Sequence, residues 1–336
     1  MAKTSPSPQH AGAGSGRSAT VLVPCTCGEL VQGILDAEPF LVSCPIDRYS
    51  RVTVTLRDGG DPSDVEGGEA VPAQPRRQKE CKAGGQADEP PAKALQAAKA
   101  TLQLLGRGDT PFHLELDCPL SPSRGFGTST ADVVGAIAAT AAAAGAELAP
   151  EQIAQLAVGV EPSDGTMFPG LALFDHRHAR RSENLGPAPP LLVVVLEFAG
   201  VVDTLEFNAH LEMERLRALE PEHRRAVDLL LRGLREGRPE LIGRAATASA
   251  RINQQLLPKP QLEAAIALGE MHGALGLCAA HSGTALGLLF SPDAYLPAAA
   301  LLDSAARLPG LEAAWISGMV GGGARSPREL GVPYFK

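Results

Sequence analysis

The sequence predicts an α+β fold in which strands and helices form a two-layer sandwich. Segments with strand-like and helix-like periodicity are mixed along the chain, but they do not alternate strictly, which argues against a doubly wound parallel sheet. The 336 residues, 44% of them hydrophobic, can bury a substantial core in one large or two medium domains.

Strand and helix patterns alternate irregularly in the first half. In residues 51–57, Val52, Val54 and Leu56 alternate with threonines, as expected of a half-buried strand. Residues 131–146 are rich in alanine, which predicts a helix that can pack closely on a sheet. The other predicted strands are 21–23, 111–117 and 171–175, and the other predicted helices are 93–105 and 151–158.

The second half contains longer helical patterns between apolar strands. Strands are predicted over 190–198, 275–281, 286–290 and 311–316. Helices are predicted over 208–237, 239–256, 260–273 and 294–307.

Changes in composition mark the boundaries of the predicted parts. Residues 1–20 are rich in Ser, Gly, Ala and Pro, which predicts a disordered tail. Residues 58–92 are rich in Gly, Pro and acidic residues, which predicts a mobile surface insertion. We therefore expect a β-rich N-terminal domain at 21–185 and an α+β C-terminal domain at 186–336.

Charge, hydrophobicity and cysteine content indicate which kinds of partner and which cellular compartment to expect. The net charge is −8 without a long Lys/Arg run, which disfavours a nucleic-acid partner. The most apolar strand-like run, 191–198, is too short to cross a bilayer, so we expect no membrane partner. There is no secretory signal and no Cys-x-x-Cys pair, so we expect a cytoplasmic protein with reduced thiols. A homodimer is compatible with the sequence.

The most informative segment is residues 118–134, where a strand pattern leads through a Gly/Ser/Thr loop into a helix. Gly125 and Gly127 let backbone N–H groups approach an anion, and three hydroxyl residues follow where the helix begins. The positive end of the helix dipole points at the loop. These features predict a phosphate site, with a nucleotide as the obvious source of phosphate. No Gly-Lys-Ser/Thr follows, so it is not a Walker A loop, and an ordinary glycine turn is the alternative.

Two further segments combine glycine and polar residues at the ends of elements: Pro24-Cys-Thr-Cys-Gly-Glu-Leu-Val-Gln-Gly33 and Ala280-His-Ser-Gly-Thr-Ala-Leu-Gly287. Together with the loop, they resemble the GHMP kinase superfamily of small-molecule kinases. Segments 27–33, 41–47, 128–132 and 160–164 are similar to its L-threonine kinase branch, which is linked to cobalamin side-chain synthesis. The resemblance covers roughly residues 21–290.

The resemblance implies a GHMP-kinase-like fold with the nucleotide in its N-terminal part, ATP and Mg²⁺ as cofactors, and a small hydroxylated amino acid as substrate. It implies nucleotide binding by Ser123, Arg124, Gly125, Phe126, Gly127, Thr128, Ser129 and Thr130. It implies Mg²⁺ ligation by Ser129 and Glu161, and Asp164 as the group that takes the proton of the acceptor hydroxyl. It implies substrate contacts from Glu29, Gln32, Asp47 and Gly283.

Several of these residues have simpler interpretations. Ser129 can act as a helix cap, Glu161 as a solvated acid and Asp164 as a turn residue before a glycine. Arg124 fits a surface position as well as a phosphate contact. Either Glu29 or Asp47 could bind a substrate ammonium group. No lysine occurs in the first motif, so the charge role that a lysine has in some family members is unassigned.

We therefore predict an ATP-dependent kinase that acts on a hydroxyl group, with L-threonine as the expected acceptor. Serine and homoserine are alternative acceptors, because a methyl group adds only about 1–3 kcal/mol of discrimination in an apolar pocket. A nucleotide-binding regulator without turnover is the alternative from another class of protein.

Overall fold

Two long antiparallel strands, β1 (Arg17–Leu35) and β2 (Glu38–Leu56), are central to the fold. Asp36 and Ala37 join them, and both have positive φ values, of 55° and 64°. A two-residue turn of this kind matches the twist of a hairpin. The structure is a computed structural model that describes residues 17–57, 91–200, 213–293 and 298–331.

The strands form one antiparallel sheet of nine strands in the order β5-β4-β2-β1-β7-β8-β6-β9, with β3 also paired to β2. The remaining strands are β3 (Phe112–Asp117), β4 (Leu171–Phe174), β5 (Ser182–Gly186), β6 (Leu192–Phe198), β7 (Gly276–Ala279), β8 (Leu286–Phe290) and β9 (Leu311–Gly318). The halves of the sheet meet where Glu29 of β1 pairs with Ala279 of β7.

Helices pack on this sheet, and small residues set the closest approach. They are α1 (Ala92–Leu104), α2 (Thr128–Ala143), α3 (Pro150–Val160), α4 (Met213–Ala218), α5 (Glu220–Glu236), α6 (Pro239–Asn253), α7 (Leu262–Met271) and α8 (Ala298–Ala305). A Cβ on Gly135 of α2 would lie 2.5 Å from a methyl carbon of Val52 in β2. The alanine-rich face therefore brings the start of α2 close to β1 and β2.

The α+β class is confirmed, and most predicted elements exist with shifted ends. The predicted 208–237 helix is two helices, α4 and α5, in its described part, and residues 201–212 and 294–297 lie outside the described ranges. Strand β5 is missing from the prediction because it is polar and mostly exposed, so it has no apolar pattern.

The predicted boundaries need one correction. The tail prediction over residues 1–20 is wrong for its last four residues, because Arg17–Thr20 belong to β1 and pair with the end of β2. Residues 1–16 lie outside the described ranges, as do residues 58–90 of the predicted insertion, and its last residue, Ala92, begins α1. Within the described ranges, no helix has the length and apolar character needed to cross a bilayer.

Candidate active site

The sequence motifs converge on one cleft of about 660 Å³. Its walls are the start of α1, the loop at 122–127 (the glycine loop), the first turn of α2, the loop after α3 and the turn after β7. Of the predicted site residues, those that line it are Glu29, Ser123, Gly125, Phe126, Gly127, Thr128, Ser129, Thr130, Glu161 and Asp164.

Helix α2 begins at this cleft. Gly127 precedes it in the left-handed conformation, with φ 60°, and its carbonyl accepts from Ala131 N at 2.9 Å. The N–H groups of the first turn have no acceptor within the helix, so they carry partial positive charge at the cleft. The arrangement suits a phosphate anion.

The rest of the glycine loop is anchored on the core. Phe126 is 1% exposed, and its ring packs against Trp315 with 5.6 Å between centroids. Its carbonyl oxygen accepts a 2.8 Å hydrogen bond from Thr26 N of β1. Ser123 stands in the left-handed region, with φ 61°. The loop therefore keeps its shape through the core side chain of Phe126 and a backbone bond to β1.

Gly125 and Gly283 allow the third motif to pack directly against the glycine loop. A Cβ on Gly125 would lie 2.8 Å from the Ser282 carbonyl oxygen, and a Cβ on Gly283 would lie 2.5 Å from Gly125 N. Gly283 is not among the described residues that line the cleft. The prediction that it contacts the substrate is therefore corrected: it supports the glycine loop from behind.

The side chain of Arg124 also holds the glycine loop in place. Its guanidinium donates to the carbonyl oxygens of Phe198 at 2.6 Å and Gly200 at 2.8 Å, and to Glu312 Oε2 at 2.7 Å. Its carbonyl oxygen accepts from Thr284 N at 3.0 Å. The prediction that Arg124 binds nucleotide is therefore corrected, because its side chain points away from the cleft and ties the glycine loop to β6 and β9.

Ser129 and Glu161, predicted together as metal ligands, are in direct contact. The Ser129 hydroxyl donates to Glu161 Oε1, and Lys93 Nζ of α1 donates to Glu161 Oε2. Glu161 is 6% exposed, so it is not a solvated loop acid. Lys93 is a functional candidate that the sequence analysis missed. It supplies the cation that the first motif lacks, from a helix that follows residues 58–90.

Asp164 lines the cleft and is half-buried. Burial and the charge of Glu161 raise its pKa to about 6, and the nearby Thr26 hydroxyl opposes this shift. Its backbone N–H donates to Thr130 Oγ1 at 3.1 Å, which fixes the loop to α2. Asp132 in α2, another cleft residue, also has its pKa raised to about 6, mainly by burial.

The two candidates for the substrate ammonium differ in position. Glu29 is 3% exposed and lines the cleft, its Oε2 has no hydrogen-bond partner, and burial and the charge of Asp164 raise its pKa. Asp47 pairs with Arg48 at 3.0 Å, is partly exposed, and is not among the described cleft residues. Its predicted substrate contact is corrected, since β2 places it beside Gly318 of β9.

Gln32 reaches the cleft indirectly, through a histidine that the sequence analysis did not select. Gln32 Nε2 donates to the Ala279 carbonyl oxygen at 3.3 Å, which leaves Oε1 facing His281 Nδ1 at 2.6 Å. His281 and His176 both line the cleft, with ring centroids 4.9 Å apart. Burial and the charges of Arg177 and Lys259 lower the pKa of His281 to about 3, so it is neutral.

A helix N-terminus, a hydroxyl–carboxylate pair, a lysine and an aspartate with a raised pKa around one cleft are the parts that a small-molecule kinase needs for phosphoryl transfer. The comparisons with known proteins agree. Residues 92–169 match the family model described as GHMP kinases N terminal domain, and residues 230–301 match GHMP kinases C terminal.

Two curated relatives match most of the chain. L-threonine kinase from Salmonella typhimurium LT2 is 32% identical over 267 residues, which cover 79% of this chain and 81% of the relative. L-threonine kinase from Citrobacter freundii is 31% identical over 272 residues, covering 79% and 84%. The chain therefore belongs to the GHMP kinase family, and it is a small-molecule kinase.

The solved structures confirm the fold. The crystal structure of homoserine kinase from Cytophaga hutchinsonii superposes with a TM-score of 0.64 at 16% identity, covering 94% of this chain and 99% of that chain. The resemblance and the fold class predicted from sequence are both confirmed.

Proposed function

We propose that this kinase transfers the γ-phosphoryl group of ATP to the side-chain hydroxyl of L-threonine. The observation that carries the proposal is the convergence of the α2 N-terminus, the Ser129–Glu161 pair and Asp164 on one cleft. The acceptor follows from the two L-threonine kinases, which match about four fifths of the chain. A place in cobalamin side-chain synthesis stays a prediction of the sequence resemblance.

The cleft fits a divalent cation. The described residues that line it include four carboxylates, those of Glu29, Asp132, Glu161 and Asp164. They include one ammonium group, that of Lys93. A triphosphate would be repelled by this set unless cations accompanied it. Mg²⁺ prefers hard oxygen ligands, which the Ser129 hydroxyl and the Glu161 carboxylate supply. When bound there, Mg²⁺ would neutralise charge on the phosphates.

The protein's own groups account for positioning. The free N–H groups of α2 and the glycine loop hold the phosphates, and Lys93 adds a positive charge next to Glu161. Asp164 accepts a hydrogen bond from the acceptor hydroxyl, orients it for in-line attack and takes its proton. Glu29, rather than Asp47, binds the ammonium group of the amino acid, because Glu29 lines the cleft and its Oε2 has no hydrogen-bond partner.

A screen of acceptors tests the proposal. The purified chain with ATP and Mg²⁺ is offered L-threonine, L-serine and L-homoserine, and ADP release and the phosphorylated amino acid are measured. We expect the highest kcat/KM with L-threonine. A higher kcat/KM with homoserine would reassign the acceptor, and no turnover with any of them would contradict the proposal.

A metal titration tests the ligand pair. Ser129→Ala and Glu161→Gln each remove a hard oxygen ligand or its charge, so we expect both variants to need more Mg²⁺ for half-maximal rate. Ser304→Ala in α8 is the matched control, because that hydroxyl donates to the Ala300 carbonyl oxygen at 2.8 Å and Ser304 is not among the described cleft residues. An unchanged Mg²⁺ requirement in both variants would place the metal elsewhere.

A further inference from the structure

The side chain of Gln32 determines which ring nitrogen of His281 carries the hydrogen. Gln32 Nε2 donates to the Ala279 carbonyl oxygen at 3.3 Å, so the amide oxygen Oε1 is the atom that lies 2.6 Å from His281 Nδ1. The reversed amide would turn its oxygen towards the carbonyl oxygen, and two acceptors repel each other. Because Oε1 can only accept, Nδ1 is the donor and holds the ring hydrogen.

Both partners of this hydrogen bond are fixed by their surroundings. Gln32 is 3% exposed, and its backbone N–H donates to Ser249 Oγ at 3.0 Å. His281 is neutral, since burial and the charges of Arg177 and Lys259 lower its pKa to about 3. A neutral imidazole with its hydrogen on Nδ1 offers Nε2 as an acceptor only, on the side of the ring away from Gln32.

Contacts connect His281 to the part of the cleft that contains Asp164. The two histidines that line the cleft, His281 and His176, pack edge to face with 4.9 Å between ring centroids. The His176 carbonyl oxygen accepts a 2.9 Å backbone hydrogen bond from the residue before Asp164. In the sheet, Ala279, two residues before His281, pairs with Glu29. His281 is therefore joined to both groups that the proposed function places on the acceptor.

We propose that His281 binds the ammonium group of the amino-acid acceptor through Nε2, and that Gln32 is the positioning residue that sets its tautomer. The inference rests on the proposed function and deepens it, because it names a second partner for the ammonium group beside Glu29. A hydroxyl amino acid has two kinds of hydrogen-bond donor, and the hydroxyl is paired with Asp164. The ammonium group, with three N–H donors, is the donor that remains for Nε2.

The first test observes the tautomer directly and needs no turnover. The eight histidines of the chain are labelled with ¹⁵N, and His281→Gln identifies the NMR signals of His281. We expect Nδ1–H in the wild type. In Gln32→Leu, which offers Nδ1 no acceptor, we expect the Nε2–H tautomer to appear. An Nε2–H tautomer in the wild type, or the same tautomer in both proteins, would overturn the inference.

The second test compares variants that keep or remove an acceptor at the place of Nε2. The amide of His281→Gln reaches that place, whereas the shorter amide of His281→Asn reaches only the place of Nδ1. In calorimetry we expect Kd for L-threonine to rise about 10- to 150-fold in His281→Asn, the value of one hydrogen bond to a charged group. The rise should be smaller in His281→Gln, and Kd for ATP should change less than about twofold in both.

His113→Asn is the matched control, because it makes the same change at a partly exposed histidine of β3 that is not among the described cleft residues. Its Kd for L-threonine should equal that of the wild type. Thermal melts check that Gln32→Leu and the His281 variants are folded. Wild-type affinity for L-threonine in His281→Asn would overturn the role of His281.

A ligand without the ammonium group identifies what His281 recognises. (R)-3-Hydroxybutyrate keeps the hydroxyl and the carboxylate of L-threonine, and its affinity, measured by competition, should change less than about twofold in His281→Asn. Equal losses for the two ligands, or no binding of L-threonine by the wild type, would overturn the inference. If the wild type binds L-threonine but does not phosphorylate it, the proposed function fails, and the tautomer and the binding losses still decide the role of His281.

Discussion

At the scale of single residues, Asp164 shows a conflict between function and stability. In the folded protein, desolvation and the charge of Glu161 raise the pKa of this carboxyl group from 3.8 to about 6. Above pH 6 the ionised group therefore destabilises the folded state, because the unfolded chain would hold it at its ordinary pKa. In the proposed reaction the carboxylate accepts the proton of the acceptor hydroxyl.

Asp164→Asn should therefore stabilise the ligand-free protein. A pKa of about 6 in the folded protein against 3.8 in the unfolded chain gives the variant an advantage on the order of 3 kcal/mol at pH 8. This advantage in the free energy of unfolding has its full size above pH 6. It disappears as the pH falls toward 4, where the carboxyl group of the unfolded chain is also protonated. Melting temperatures of both proteins at pH 4, 6 and 8 check this. A wild type that melts above the variant at pH 8 would contradict it.

The proposed role of Asp164 also predicts how the activity depends on pH. The carboxylate must be ionised to accept the hydroxyl proton, so kcat/KM of the wild type should fall below pH 6. In Asp164→Asn we expect kcat to drop by about 10²- to 10⁴-fold with ATP affinity nearly unchanged. A drop below roughly tenfold would mean that Asp164 only orients the acceptor.

Gly127 is constrained by Asp164 as well as by its φ value. A Cβ there would overlap Asp164 Oδ2 and would lie 2.8 Å from Thr26 Oγ1. Gly127→Ala should therefore lower kcat at least about tenfold and raise KM for ATP. Gly145→Ala is the control, since Gly145 has a similar φ, of 74°, and open space around its Cβ position. The variants should lose similar stability from backbone strain, about 1 kcal/mol, but only Gly127→Ala should lose activity.

At the scale of elements, α1 carries the cation of the site. Lys93 donates to Glu161 Oε2 and lines the cleft, whereas Lys99 on the same helix is exposed. Lys93→Met should leave Glu161 unneutralised, so we expect KM for ATP to rise and kcat to fall, each about tenfold or more. Lys99→Met should behave as wild type. Steady-state kinetics of the two variants with varied ATP are the measurement, and equal kinetics would remove Lys93 from the site.

The sequence was sufficient to predict elements and motif residues but not the contacts between distant segments. Periodicity located β8 with both ends correct, and it found α2, whose start at Thr128 includes the hydroxyl run. The motifs led to Ser129 and Asp164 because their chemistry lies in a local pattern.

The remaining assignments depended on tertiary contacts. Lys93 was missed because nothing near it in sequence shows that α1 reaches Glu161. Arg124 and Gly283 were assigned to ligands, although the structure uses both to pack the glycine loop. Asp47 was misplaced because which side of the sheet it faces depends on the irregular pairing of β1 with β2. Side-chain direction at such a bulge is a tertiary property.

At the scale of the whole molecule, the two predicted domains share one sheet and are also joined by the segment after β9. Val320 N donates to the Pro45 carbonyl oxygen at 3.0 Å, and Gly322 N donates to that of Gly170 at 2.8 Å. Gly323 N donates to the Thr166 carbonyl oxygen at 2.8 Å, and Arg325 exchanges two backbone bonds with Leu22. Residues 319–325 (the return segment) therefore hold the loop that follows Asp164.

A chain that ends at Gly318 should lose both stability and activity. It lacks the backbone hydrogen bonds of the return segment, and at about 1 kcal/mol each their sum is comparable to the whole stability of many proteins. A chain that ends at Gly331 keeps these bonds and should match the wild type.

Because the shorter chain could fail to fold, Gly322→Ala provides a milder probe. Its Cβ would lie 2.5 Å from the Phe168 carbonyl oxygen, so it should melt at a lower temperature and turn over more slowly. Gly331→Ala, with open space at its Cβ, is the control. Wild-type melting and turnover in Gly322→Ala and in the chain ending at Gly318 would show that the two halves do not depend on the return segment.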